Sequence, residues 1–139
     1  MISRMTVATI WVKDQNEALR FYTEKLGFVI RNDVTAGDYR WLSVGLKDQP
    51  EIEVNLAALK PGGSLTEEDI IPLTKLVEEG KIGGGVLKTD DCRKTYEDLI
   101  AKGVEFMQPP TDRPYGTVDA TFKDPSGNVF VLSEDKSVE

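Results

Sequence analysis

The sequence predicts an α+β fold in which a unit of one strand, one helix and three further strands occurs twice. First, the β-branched and aromatic run at residues 6–12 precedes a capping-box-like helix start at Asp14. Second, the same order returns after a three-glycine run, where Asp91 opens another helix. Third, short strands separated by polar or glycine-containing turns follow both helices. The chain is therefore interpreted as an internal duplication of a βαβββ module.

The first module is predicted to span about residues 5–58. Its helix presents a typical apolar stripe and ends at a glycine cap, Gly27. Three strands are predicted after it, at residues 28–34, 39–44 and 52–56.

A linker with helical content is predicted at about residues 59–81. Pro61-Gly62-Gly63 breaks the preceding strand, and Ser64 with Glu67 can cap a short helix. Pro72 could begin a second short helix, because proline suits the first helical position.

The second module is predicted at about residues 82–134, which makes the whole chain, residues 1–139, a single domain. A strand at 86–87 leads to a helix that runs from Asp91 to Gly103. Three more strands follow, with Asp124-Pro125-Ser126-Gly127 as the tight turn between the last two.

Composition excludes several functions. The 139 residues are 40% hydrophobic, enough for one core. Acidic residues outnumber basic ones, 24 to 17, and a net charge of −7 repels nucleic acid. The chain contains no histidine, which argues against serine triads and most zinc mechanisms.

The expected location is the cytoplasm, without a membrane partner. No signal-peptide pattern opens the sequence, and no apolar run approaches the ~20 residues that span a bilayer. The single cysteine, Cys92, rules out an internal disulfide and suits a reducing compartment. Its helical spacing with Tyr96, Leu99 and Ile100 predicts an inert core thiol.

Several segments resemble one protein family. Asp14 to Phe28 is similar to the first-helix signature of the vicinal oxygen chelate superfamily, which includes glyoxalases, bleomycin resistance proteins and extradiol dioxygenases. Residues 103–106, 113–116 and 124–128 resemble the matching parts of its members. The resemblance implies an eight-stranded sheet curled around a cleft, a small-molecule ligand and a homodimer.

The resemblance also implies where metal ligands would lie, on the first and last strand of each module. These positions fall on Val7, on Gly84, on Val131 and on either Glu53 or Asn55. Only the last of them offers a donor atom, whereas catalytic sites need about three protein ligands. We therefore expect a lost metal site and no cofactor, although oxygen ligands from unpredicted loops or from a dimer partner stay possible.

Strand alternation indicates which side chains face the predicted cleft. The aliphatic and aromatic members alternate with core residues, and the polar members could orient a ligand. Arg113 and Tyr115 are added from the loop before the seventh strand. The ligand-binding candidates are Val7, Thr9, Trp11, Trp41, Glu53, Asn55, Arg113, Tyr115, Asp119 and Val131.

Four of the candidates have a structural alternative. Trp11 and Trp41 could stack on a planar or cationic ligand, or else belong to the core or a dimer seam. Glu53 could orient a ligand or simply be solvated, and Arg113 could bind an anion or form an exposed salt bridge. No catalytic residue can be named.

The leading hypothesis is a metal-independent protein that sequesters a planar or cationic compound in the cleft. The alternative is an enzyme. It would be a glyoxalase-like lyase or isomerase or a relative of the dioxygenases with atypical metal ligation, or a metal-free catalyst that uses Glu53 or Asp119 as acid or base. A third possibility is a dimer that has lost its ligand and serves as an interaction module.

Overall fold

The computed structural model describes residues 1–136. The first module contains, in chain order, β1 (Val7–Val12), α1 (Gln15–Arg20), β2 (Val29–Ala36), β3 (Tyr39–Gly45) and β4 (Glu53–Ala58). A π-helical turn, Phe21–Lys25, extends α1. The linker helix α2 (Glu67–Glu78) follows. The second module contains β5 (Gly85–Lys88), α3 (Cys92–Ala101), β6 (Glu105–Asp112), β7 (Thr117–Lys123) and β8 (Val129–Asp135).

The predicted pair of βαβββ modules is confirmed. Sheet 1 has the strand order β1-β4-β3-β2, and sheet 2 has the equivalent order β5-β8-β7-β6. The first and last strands of each module pair in parallel, and the other pairs are antiparallel. Within the described residues the strands form two four-stranded sheets, and residues of β1 and β5 line a gap of about 280 Å³.

Both predicted helix starts are confirmed. The Asp14 side chain accepts a hydrogen bond from the backbone N–H of Glu17 at 3.0 Å, and Asp91 does the same for Lys94 at 3.0 Å. Such caps satisfy backbone donors that the first helical turn leaves without a partner.

The linker differs from its prediction in two respects. It forms one helix, capped at Thr66 instead of Ser64, in which the Asp69 carboxylate accepts a hydrogen bond from the Thr66 backbone N–H at 2.8 Å. Pro72 lies inside α2 and does not begin a second helix. Three successive acidic residues at 67–69 favour this helix start, because they lie at the positive end of the helix dipole.

One hydrophobic cluster contains residues of both modules. Strand alternation assigns six residues to the helix-facing rows. Four of them are buried, Ile10, Val12, Phe130 and Leu132, whereas Ile52 and Val54 are only partly buried. Tyr22 of the first module contacts Phe130 of the second edge to face, with ring centroids 6.0 Å apart. Aromatic contact of this kind stabilises the packing of one module on the other.

Asp124 is the polar link between the modules. This buried carboxylate accepts three hydrogen bonds, of 2.9 to 3.0 Å, from the backbone N–H groups of residues 126–128. Its other oxygen accepts from the Tyr22 hydroxyl at 2.7 Å and from the Asn128 amide at 2.9 Å. Burial, and then the Asp124 charge, raise the pKa of Tyr22 well above its usual value, so the phenol stays a donor.

The β7–β8 turn also contacts β1 and α2. The Asn128 amide donates to the carbonyl of Trp11 at 2.8 Å, and the Lys13 N–H donates to the Ser126 hydroxyl at 2.9 Å. Gly127 has a φ of +110°, and a Cβ there would lie 2.6 Å from the Val77 carbonyl. Only glycine fits at this crossing of the turn and the helix.

We predict that Asp124→Ala lowers the free energy of unfolding by about 3 kcal/mol or more, because it leaves several buried donors without an acceptor. Urea unfolding followed by circular dichroism measures this loss. Asp98→Ala, which removes an exposed carboxylate of α3 paired only with Lys94, is the matched control and should cost less than about 0.5 kcal/mol. Equal losses in the two variants would contradict the role given to Asp124.

Candidate ligand-binding site

Each sheet has an open face, the face opposite the buried row of its strands. On sheet 1 the strand register places Thr9, Asn55 and Ser43 side by side on this face. Trp11 is only partly buried, whereas its neighbours Ile10 and Val12 are in the core. The alternation predicted for β1 is therefore observed, and it directs Trp11 away from the core.

A groove of about 1190 Å³ lies on the open face of sheet 1. Three predicted candidates, Thr9, Trp11 and Asn55, line it together. The remaining lining comes from the ends of β2–β4 and from the linker, as Ala36, Asp38, Tyr39, Arg40, Ala57, Ala58, Lys60, Pro61, Gly62, Gly63 and Ser64. We call this set of residues the sheet 1 groove.

Tyr39 and the linker wall were not predicted as site residues. Tyr39 lies two residues before Trp41 on β3, so strand alternation would have placed it on the same face. The linker wall is the part of the groove lining that residues 60–64 form. No sequence pattern indicates that these residues line the groove, since their position depends on the direction in which the chain leaves β4.

Three further candidates share the open face of sheet 1 but are not part of the groove lining that the structure describes: Val7, Trp41 and Glu53. The Asn32 amide donates to the Glu53 carboxylate at 3.1 Å and to the Ser43 hydroxyl at 3.0 Å. Glu53 is thus half-buried and hydrogen-bonded within its own sheet.

The candidates of the second module form a separate cluster on the open face of sheet 2. Asp119 is buried, and its carboxylate accepts from the Ser133 hydroxyl at 2.9 Å and from the Tyr115 hydroxyl at 3.1 Å. Arg113 Nε lies 3.8 Å from the same carboxylate. Val131 lies on this face as well, paired with Val86 on one side.

The cluster keeps Asp119 ionised. Burial raises the pKa of this carboxyl, but the hydroxyls of Ser133, Thr117 and Tyr115 and the positive charge of Arg113 together outweigh burial. The net result is a pKa below the usual aspartate value, so Asp119 is an acceptor at neutral pH.

Three of the four positions implied for a metal, Val7, Gly84 and Val131, have no metal-binding side-chain atom. Val7 and Val131 have no donor atom, and a Cβ at Gly84 would lie 2.7 Å from the Val129 carbonyl, so no larger residue fits there. Between residues 1 and 136, no three Asp, Glu, Cys or His side chains come together in a metal-binding group.

Cys92 is a core thiol, as predicted. It is fully buried at the start of α3, where its backbone N–H donates to Glu134 at 2.7 Å. Burial, followed by the charge of Glu134, raises the pKa of the thiol above its usual value. A thiol that stays protonated is a poor nucleophile. In the described part of the chain, no helix is long and apolar enough to cross a membrane.

Comparison with known proteins identifies relatives along nearly the whole chain. The family model of the glyoxalase/bleomycin resistance protein/dioxygenase superfamily matches residues 4–132. The uncharacterized protein YurT of Bacillus subtilis (strain 168) is 35% identical over 130 residues, which are 93% of this chain and 97% of YurT.

Two solved structures are similar in both sequence and fold. The structure of UcmS2 is 47% identical, with a TM-score of 0.89, and covers 96% of this chain and 98% of its own. TnmS3, described as an antibiotic binding protein from Streptomyces sp. CB03234, is 29% identical, with a TM-score of 0.76, and covers 97% of this chain and 98% of its own. With two βαβββ modules and these relatives, the chain belongs to the glyoxalase/bleomycin resistance protein/dioxygenase superfamily.

Proposed function

We propose that this chain is a metal-independent binding protein that sequesters a planar small molecule in the sheet 1 groove. The observation that carries the proposal is the groove itself, in which an aromatic side chain, Trp11, lies beside the polar groups of Thr9 and Asn55. Apolar walls with a few polar groups are the usual form of a small-molecule site. The antibiotic-binding description of TnmS3 supports the same class of function.

The aromatic lining favours a flat ligand. Trp11 and Tyr39 both border the groove, and offset stacking of aromatic rings contributes ~0.5–1.5 kcal/mol beyond the area that it buries. Thr9 and Asn55 offer a hydroxyl and an amide, which can orient a ligand that already lies against the rings.

We also propose that the protein forms a homodimer. The groove exceeds the ~300–1,000 Å³ of typical ligand pockets and is open on one side in a single chain. Large apolar side chains remain exposed on the open faces and at their borders, including Val34 (58%), Tyr39 (55%) and Val86 (62%). Exposed apolar surface of this kind marks an interface, and a second copy would cover both it and the ligand. We place the binding protein in the cytoplasm, where its single buried thiol suits the reducing conditions.

We predict that Trp11→Leu weakens binding of naphthalene-2-carboxamide, a neutral planar probe, by about tenfold or more, because stacking in the groove is lost. Isothermal titration calorimetry measures the affinity without relying on tryptophan fluorescence. Ile100→Ala, on the exposed side of α3, is the control and should bind as the wild type does. If the wild type binds no planar probe, or if Trp11→Leu binds equally well, the groove is not the site.

If the protein is a homodimer, sedimentation experiments at micromolar concentration should show a species of twice the chain mass. Val34→Lys should shift this species toward the monomer, because it introduces a charge on the exposed end of the open face. Glu97→Lys on α3 makes a larger charge change away from the open faces and should leave the dimer intact. A wild-type monomer at all concentrations would contradict this part of the proposal.

Metal independence predicts that Mn²⁺, Ni²⁺ or Zn²⁺ gives no saturable one-to-one binding and that EDTA leaves probe affinity unchanged. Calorimetric titration of the protein with each metal, and of probe with and without EDTA, tests both statements. Tight binding of one metal per chain would reject metal independence and direct attention to lyase or dioxygenase chemistry.

A further inference from the structure

The two modules have diverged most clearly at equivalent positions of their open faces. In sheet 1, Trp11 of the first strand pairs with Ala57 of the last strand. In sheet 2, the corresponding pair is Lys88 with Ser133. An aromatic and apolar pair in one module is therefore replaced by a cationic and hydroxylic pair in the other.

The third strands, β3 and β7, show the same exchange at one position, although the last strands change in the opposite sense, from Asn55 to Val131. Asn55 in the last strand of sheet 1 pairs with Ser43, and Trp41 lies two residues before Ser43 on the same face. In sheet 2, Val131 pairs with Thr121, and Asp119 lies two residues before Thr121 on the same face. Sheet 1 thus carries tryptophan at both positions, and sheet 2 carries charged residues at both.

The acidic member of sheet 2 accepts hydrogen bonds from its own chain at both oxygens. Ser133 and Tyr115 each donate to one oxygen of the Asp119 carboxylate, and the Arg113 guanidinium stands nearby. Glu53, the acidic candidate of sheet 1, likewise accepts from Asn32. Both candidate carboxylates are therefore already hydrogen-bonded within their own sheets.

One donor on this face has unused capacity, the Arg113 guanidinium. Among the described residues, Arg113 Nε is buried without a hydrogen-bond partner, because its 3.8 Å distance to Asp119 is too long for one. The Arg113 side chain is 29% exposed and donates no hydrogen bond to the described residues, so a ligand oxygen can reach its terminal nitrogens and accept from them. Lys88 adds a second positive charge at 3.5 Å from Ser133, although Asp135 also pairs with it at 2.7 Å.

We infer that the open face of sheet 2 binds an oxygen acceptor of the ligand, such as a carboxylate, phenolate or carbonyl, through Arg113. This inference rests on the proposed function and narrows it, from a planar ligand to a planar ligand with an acceptor group. The groove lining contains no residue of sheet 2, so the second copy of the proposed dimer supplies these donors. Asp119 acts as a positioning residue, which holds Tyr115 and Arg113 in place.

Three probes with one ring system test the ligand class: naphthalene-2-carboxylate, naphthalene-2-carboxamide and 2-naphthylmethylammonium. We expect the carboxylate to bind the wild type at least about tenfold more tightly than the ammonium compound. Arg113→Gln should lower carboxylate affinity by about tenfold and leave the ammonium compound unchanged or tighter. Arg93→Gln, which removes an exposed arginine paired with Asp112, is the matched control and should change neither affinity.

The Asp119→Asn variant tests whether Asp119 positions Arg113 or affects the ligand only through its negative charge. Removing a negative charge beside Arg113 would by itself raise affinity for the carboxylate probe, whereas loss of positioning lowers it. We expect a loss of about threefold or more, with thermal unfolding used to confirm that the variant is folded. A gain in carboxylate affinity would overturn the positioning role.

The outcomes distinguish this inference from the proposed function. If no naphthalene probe binds the wild type, both fail. If all three bind with equal affinity and Trp11→Leu weakens them all while Arg113→Gln weakens none, the groove is the site and only the acceptor inference is overturned. If the ammonium compound binds best, the ligand is a cation and the inference is wrong.

Discussion

The buried carboxylate of Asp124 lies where the two modules meet, and the positions of both open faces depend on it. Its oxygens accept from three consecutive backbone N–H groups of the β7–β8 turn and from Tyr22 of the other module. The β7–β8 turn also holds β1, through the hydrogen bond that the Asn128 amide donates to the carbonyl of Trp11. A polar contact in the core thus fixes the backbone that carries the main aromatic residue of the groove. Because hydrogen bonds to a charged, buried group depend steeply on geometry, this link defines one arrangement of the modules more strictly than apolar packing alone.

Duplication explains how one backbone pattern can present two different surfaces. Buried rows in both modules are aliphatic or aromatic, since each must cover a helix, and Val12, Leu56, Phe122 and Leu132 all belong to one cluster. The outward rows carry no such constraint, so Trp11 and Lys88 can occupy equivalent positions. In the proposed complex, the open face of sheet 1 binds the apolar ring of the ligand, and the open face of sheet 2 binds its oxygen acceptor. This mode of binding needs no metal ion.

Local signals in the sequence predicted most of the fold. The caps at Asp14 and Asp91 act within one helical turn, and strand alternation identifies the buried rows without knowledge of the partner strand. The linker was harder, because Ser64 with Glu67 and Thr66 with Asp69 are equally good capping patterns, and only the chain path selects between them. Alternation also placed Thr9, Trp11 and Asn55 correctly on one face, but it could not show that the groove extends toward the linker. Nor could it show that Asp119 is held by Ser133, because that contact joins residues whose relative position depends on strand register.

The most direct test of the central claim uses the two tryptophans of the chain as reporters. In a two-dimensional ¹H–¹⁵N spectrum of labelled protein with EDTA present, each indole N–H gives its own signal, which Trp11→Phe and Trp41→Phe variants assign. Titration with naphthalene-2-carboxylate should move the Trp11 indole signal in a saturable way, together with amides of β4 and the linker wall, and should leave those of the outer side of α3 in place. If the probe binds but shifts only residues around the gap between β1 and β5, or if it binds only after a metal is added, the groove is not a metal-independent binding site and the proposed function is wrong.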